Sequence, residues 1–153
     1  MEPTLEKNEQ TLASRWSRLL AFLIDSIVLI VSFSPVIWLS GVFDDEDSAQ
    51  ISTAAILTLI VLGYALFFAI NWLPLKEQAQ TWGKRFLNIK IVGDDGCKLP
   101  IKDLIFKRYA FGFGVGFIPV VGDFFVLVNH LFIFTASKKC LHDHVAKSSV
   151  VNA

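Results

Sequence analysis

The sequence predicts an all-α membrane protein, a bundle of three to four transmembrane helices with a small cytoplasmic β-hairpin insert. Three observations lead to this fold class. The 153 residues are 54% hydrophobic with a mean hydropathy of +0.55, above what a soluble domain of this length needs for its core. Two apolar stretches are long enough to cross a bilayer. The charges, although they sum to zero, are segregated along the chain.

The two predicted spans in the N-terminal half are residues 19–39 and 51–73. The first contains Asp25 as its only charge and the second contains none. At 1.5 Å per residue each is roughly 30 Å long, which matches the hydrocarbon thickness of a bilayer. We predict one membrane domain, residues 15–151, after a polar N-terminal segment, residues 1–14, which is expected to be cytoplasmic.

The third apolar region, residues 104–136, is interrupted by Pro119 and by the turn signal Gly122-Asp123. We predict two short spans here, residues 104–118 and 120–136. One long span or a re-entrant hairpin are the alternatives.

The charge distribution predicts the orientation. The connector 40–50 contains Asp44, Asp45, Glu46 and Asp47 without a basic residue, whereas residues 76–108 contain eight basic residues. By the positive-inside rule the connector is outside, and the N-terminus and the insert 76–102 are cytoplasmic. The basic tail, residues 137–153, is predicted to be cytoplasmic too, which requires an even number of crossings or a re-entrant segment.

The insert has two predicted elements. Residues 80–87 favour a short interfacial helix that carries aromatic and basic side chains. Residues 89–92 read as a strand, the Asp95-Gly96 pair as a turn, and residues 98–99 as the returning strand of a hairpin.

Asp25 is the first candidate for chemistry, because an acid within a span costs roughly 2.5–3.5 kcal/mol to insert and is retained only with a partner, a hydrated cavity or an ion. Arg18 lies seven residues earlier, nearly two helical turns, and so shares a helix face with Asp25. Arg108 is a second candidate partner across helices. The alternative is that Asp25 forms a polar clamp that only fixes helix packing.

Asp123 and His130 are the next candidates, since their spacing places them on one helical face where a proton relay could form. If Asp123 lies at an outer turn, it is simply solvated. His142 and His144 flank Asp143, but residues two apart on a helix point away from each other, so we predict no metal site. Familiar catalytic signatures are absent from the sequence, which argues against an enzyme and against a cofactor.

Three segments resemble one family of membrane proteins: residues 18–25 (RLLAFLID), 80–92 (QTWGKRFLNIKIV) and 141–143 (LHD). In this order they are similar to the RDD family, named for one arginine and two aspartates. The resemblance assigns these to Arg18, Asp25 and Asp143. Trp82 stands where the family usually has leucine, and His144 where a basic or apolar residue is common.

The resemblance implies a membrane protein of undefined activity, for which transport of an unidentified ligand, or cation/proton exchange in some members, has been suggested. We therefore expect a multi-pass protein of a bacterial cytoplasmic membrane that transports, or helps to transport, a small cation, a proton or a solute. With so few helices, transport would require a homo-oligomer. The alternative is a membrane adaptor or regulatory subunit that binds a partner membrane protein through its hairpin and tail. No nucleic-acid partner is expected.

Overall fold

The computed structural model describes residues 11–41, 52–111, 124–125, 128–129, 131–135 and 139–153. Its two long helices are α1 (Arg15–Leu39) and α2 (Thr53–Gln78). Each begins at a serine whose side chain accepts a hydrogen bond from the first helical turn, Ser14 from the Ser17 amide and Ser52 from the Ala55 amide. Almost none of the residues in their apolar stretches is buried in the fold, and the mean hydropathies of these stretches are 2.3 and 2.4. This combination is typical of helices that face lipid, and the first two predicted spans are confirmed as long apolar helices.

After α2, the described residues include three further short helices and two strands. Helix α3 (Trp82–Phe86) leads into strand β1 (Ile89–Gly93). Helix α4 (Ile101–Asp103) is one turn that continues as a π-helical segment, Leu104–Tyr109. Phe132–Phe134 forms a 3₁₀ turn, and helix α5 (Leu141–Val145) leads into strand β2 (Ser148–Asn152).

The sheet differs from the predicted hairpin, because β1 pairs with β2 of the tail in a five-residue antiparallel ladder that runs from Ile89 opposite Asn152 to Gly93 opposite Ser148. The turn was predicted correctly, since Gly96 has a φ of 78°. The return strand was not: only Lys98 bridges back to Val92, because Pro100, two residues later, is the N-cap of α4. This single bridge and the ladder coexist, because Val92 pairs with Lys98 on one side and with Ser149 on the other.

The two helix–strand units repeat each other. In both, a five-residue helix is followed by a two-residue connection and a five-residue strand. The second connecting residue has a positive φ in both, 52° at Asn88 and 46° at Lys147. The ladder is centred on the pair Ile91 and Val150, which occupy equivalent places in the two strands. The chain thus contains an internal pseudo-twofold repeat whose axis passes through the middle of the sheet.

Three distant parts of the chain meet at this sheet. Val150 accepts a hydrogen bond from the Ala13 amide through its carbonyl at 3.0 Å, and the Asn152 amide donates to the Thr11 carbonyl at 3.0 Å. The segment before α1, the strand after α2 and the tail therefore meet in one folded unit. Whether two spans fill residues 104–136 stays a prediction, since much of that region lies outside the described residues.

The described hydrophobic core lies around the sheet and not between the long helices. It joins the base of α1, the end of α2 and both strands, and consists of Ala13, Ala21, Ala79, Ile89, Ile91, Leu99, Leu104 and Val150. We call the assembly of α3, β1, α5 and β2 the platform. Its burial of apolar side chains stabilises a folded unit at one end of the lipid-facing helices.

Candidate functional site

Asp25 binds the first turn of α3. Its Oδ2 accepts a hydrogen bond from the Thr81 hydroxyl at 2.5 Å, and its Oδ1 accepts one from the Gly83 amide at 2.8 Å. The Lys84 ammonium lies 3.9 Å from Oδ2, and burial lowers the pKa of Lys84 while Asp25 opposes that shift. A carboxylate from α1 thus satisfies a free amide at the start of α3, where negative charge is stabilising.

Gly83 allows this contact because α3 lies directly on α1. A Cβ atom at Gly83 would stand 2.3 Å from the Ala21 carbonyl oxygen and 2.9 Å from the Asp25 carboxylate. Neither the backbone of α1 nor the bound carboxylate can give way easily, so the position requires glycine.

Asn71 of α2 is a second anchor of α3, and the sequence analysis did not single it out. Its Oδ1 accepts from the Trp82 amide at 3.0 Å, while its Nδ2 donates to the Phe67 carbonyl. The Trp82 indole also donates to the Ile70 carbonyl at 2.8 Å. The signal in the sequence was a single amide side chain near the end of an apolar span, where a polar group needs a hydrogen-bond partner. The structure shows that this amide is buried.

Asp143 forms the other charged cluster. Its Oδ1 lies 2.5 Å from Arg108 and its Oδ2 lies 3.7 Å from Arg18, and all three side chains are at most 5% exposed. Arg18 also donates to the Val150 carbonyl at 2.6 Å, and Arg108 to the Ser148 hydroxyl at 2.7 Å. The two arginines therefore bind the carboxylate and strand β2 together.

The electrostatics of this cluster favour the ionised carboxylate. Burial by itself raises the pKa of Asp143, but Arg108, His142, the Cys140 amide and Arg18 together outweigh it and leave that pKa below its ordinary value. The neighbouring Cys140 thiol has its pKa raised to about 11, chiefly by burial.

The predicted pairing of Asp25 with Arg18 or Arg108 is wrong. Arg18 and Asp25 do share the buried face of α1, with Ala21 between them, but seven residues separate them by about 10 Å along the helix axis. Each therefore reaches a different element of the platform: Arg18 reaches Asp143, and Asp25 reaches α3. Arg108 likewise pairs with Asp143.

The two ion pairs are equivalent under the internal repeat, with opposite polarity. Lys84 and Asp143 are each the third residue of their short helix, so Asp25–Lys84 in one half corresponds to Arg108–Asp143 in the other. Asn129 resembles Asn71 in role, because its Oδ1 accepts from the His142 amide at 3.1 Å. Each half thus attaches its short helix through one charged and one amide side chain.

The remaining candidates do not join this site. Asp123 and His130 lie outside the described residues. Cys140, His142 and Asp143 bring ligand atoms within 4.8 Å of one another. The Asp143 carboxylate is already shared by two guanidinium groups, however, and their positive charge opposes the binding of a cation.

Comparison with known proteins confirms the resemblance to the RDD family. The model of the RDD family matches residues 12–147, which include all three signature charges. The chain is similar to two proteins of Bacillus subtilis (strain 168), both described as uncharacterized. YckC is 29% identical over 147 residues, covering 92% of this chain and 85% of that protein, and YxaI is 25% identical over 155 residues, covering 91% and 96%. No solved structure matches. Family match, apolar helices and signature charges together show that the chain belongs to the RDD family of membrane proteins.

Proposed function

We propose that this RDD protein is a membrane adaptor, in which bilayer helices hold a rigid cytoplasmic platform for a partner protein. The observation that supports this most directly is the state of Asp25, whose two carboxylate oxygens are bound by α3. The acid that suggested an ion site at the sequence level serves as the attachment point of the platform.

Binding of a cation at Asp25 would be opposed by its present neighbours. The Thr81 hydroxyl and the Gly83 amide donate to the carboxylate, and the Lys84 ammonium places a positive charge 3.9 Å from it. A metal ion would have to displace them and release α3 from α1. The cost of leaving buried donors without acceptors makes that exchange unfavourable.

The platform also offers an exposed surface for a partner. The turn that contains Cys97 projects from it, and Lys98 next to that turn donates to the carbonyls of Lys76 and Glu77, both at 2.7 Å. These bonds fix the turn to the last residues of α2. A rigid surface loses little conformational entropy on binding, which suits a docking role.

The test uses the exposed Cys97 thiol as the attachment point for a photo-crosslinker in native membranes. We expect one discrete protein adduct from Cys97 and none from a Leu39→Cys, Cys97→Ser control, whose label lies at the far end of α1. We also expect the adduct to weaken in Asp25→Asn, which loosens the platform. Identical adduct patterns from both label positions would contradict the adaptor proposal.

Transport remains the second candidate, because Asp25 lies within a long apolar helix and ionisable residues in spans often mark ion pathways. Its test is ion flux into vesicles that contain the purified protein, with Asp103→Asn as a control for the loss of one exposed acid. The decisive result is the loss of cation or proton flux in Asp25→Asn with a melting temperature no lower than that of Asp103→Asn. In that case Asp25 is an ion site and the adaptor proposal fails. Native mass spectrometry of the same sample tests the predicted homo-oligomer.

A further inference from the structure

Helix α3 presents an exposed edge of unusual composition, formed by Trp82, Arg85 and Phe86, which we call the α3 edge. Phe86 is 78% exposed and Trp82 is 42% exposed. The Arg85 guanidinium carbon lies 5.4 Å from the centre of a Trp82 ring. Two large aromatic side chains, together with an arginine that makes a cation–π contact, are typical of a short helix at a membrane surface.

The depth of this edge follows from its anchors. The Trp82 indole donates to the Ile70 carbonyl, and the exposed Trp72 and Leu73 occupy the same level of α2. The Gly83 amide is bound at Asp25, more than two turns into α1. The α3 edge is therefore continuous with the lipid-facing surfaces of both long helices, at their cytoplasmic end by the predicted orientation.

The internal repeat presents a related edge a second time. Val145 occupies the place of Phe86 at the end of α5 and is 44% exposed, and the exposed His144 occupies the place of Arg85. An apolar residue after a basic one thus recurs at the same place in both halves.

We propose that the α3 edge binds the headgroup of an anionic phospholipid, with Arg85 at the phosphate and Phe86 inserted at the boundary of the acyl chains. The charge of the surrounding segment is complementary, since residues 76–108 contain eight basic and four acidic side chains. Basic residues near a membrane surface are attracted to anionic lipids, and tryptophan and phenylalanine favour the interfacial layer. The proposal does not depend on whether the protein is an adaptor or a transporter.

The first measurement locates Trp82. Three of the four tryptophans, Trp16, Trp38 and Trp72, are replaced by phenylalanine, and the full-length protein is reconstituted in phosphatidylglycerol nanodiscs. We expect lipids brominated near the headgroup to quench Trp82 fluorescence more than lipids brominated near the chain ends, and aqueous iodide to quench it little. Quenching by iodide as strong as that of free tryptophan would overturn the proposal.

The second measurement tests lipid selectivity. The protein is released from micelles with equal phosphatidylglycerol and phosphatidylcholine, and retained lipids are counted by native mass spectrometry. We expect a preference for phosphatidylglycerol that falls about five-fold in Arg85→Gln, the ratio given by about 1 kcal/mol per basic contact. Lys102→Gln removes an equal charge from another exposed position of the insert and should keep the preference. An equal loss in both variants, or no preference in the unmodified protein, would refute a specific site at Arg85.

Discussion

Replacing Asp143 by asparagine should destabilise the protein strongly, because it leaves two buried arginines without their carboxylate. Asp143 is 1% exposed, and the side chains of Arg108 and Arg18 are 4% and 5% exposed. Removal of one partner from such a buried pair costs about 3–5 kcal/mol. Asparagine keeps the size of the side chain and an acceptor for the Cys140 amide, so the loss reports on charge. At roughly 2–4 °C per kcal/mol for a chain of this length, we expect the melting temperature to fall by about 6–20 °C.

The assay is thermal unfolding in mild detergent, with Asp103→Asn as the matched control. Asp103 pairs with Lys107 at 2.9 Å, but the two side chains are 35% and 57% exposed, so its replacement should cost only about 0.3–0.5 kcal/mol. Adding Arg108→Gln to Asp143→Asn should restore part of the loss, because one unpaired buried charge is removed. A loss in Asp143→Asn no larger than in Asp103→Asn would refute the structural role of the cluster.

The same cluster predicts a loss of stability in acid. The pKa of Asp143 is lower in the folded state than its unfolded value of about 3.9, so its ionised form contributes its full stabilisation above that value. That contribution is lost as the pH falls through the folded pKa. Asp94, whose pKa is lowered by its hydrogen bond with Lys139, contributes in the same direction. We therefore expect the free energies of unfolding of Asp143→Asn and of the unmodified protein, measured against pH, to converge below pH 4. A constant difference between the two proteins down to pH 2 would contradict the stabilising role of the ionised Asp143.

Four further predictions concern individual glycine and cysteine residues. Gly83→Ala should lower the free energy of unfolding by about 1–3 kcal/mol, because the added Cβ would stand 2.3 Å from a carbonyl oxygen of α1. The control is Gly63→Ala, where the added Cβ has its nearest neighbour at 3.9 Å, and it should be nearly neutral in the same melting assay. Gly96→Val should cost about 1–3 kcal/mol, since a β-branched residue is strained at a φ of 78°, and unchanged melting would remove this turn from the account. In the purified native protein, maleimide at neutral pH should label the exposed Cys97 and leave Cys140 unmodified until the protein is denatured. Cys140 is protected because it is buried and the pKa of its thiol is raised to about 11. Mass spectrometry of the labelled protein measures both outcomes. In intact cells a membrane-impermeant reagent should leave Cys97 unlabelled, and labelling would reverse the predicted orientation.

Local chemistry explains what could be predicted from the sequence. Helices α1 and α2 cover residues 19–39 and 53–73 of the predicted spans because these segments are apolar and long enough to cross a bilayer. Arg18, Ala21 and Asp25 share one face because of helical periodicity, and that face packs against the platform. Asp95-Gly96 forms a turn because glycine adopts a positive φ without strain. The three signature charges were recognised from residue type and order.

The partners of those residues depended on tertiary structure. Strand β1 pairs with β2, more than 50 residues away, and a sequence pattern specifies the faces of a strand but not its neighbour. Asp25 and Arg18 were expected to pair because they share a helix face. The structure separates them because the platform presents Thr81 and Gly83 to one, and Asp143 and Val150 to the other. Opposite charges attract wherever the fold brings them together in a poorly solvated site. Which charged residues pair therefore depends on how distant segments pack, and no local sequence pattern encodes that packing.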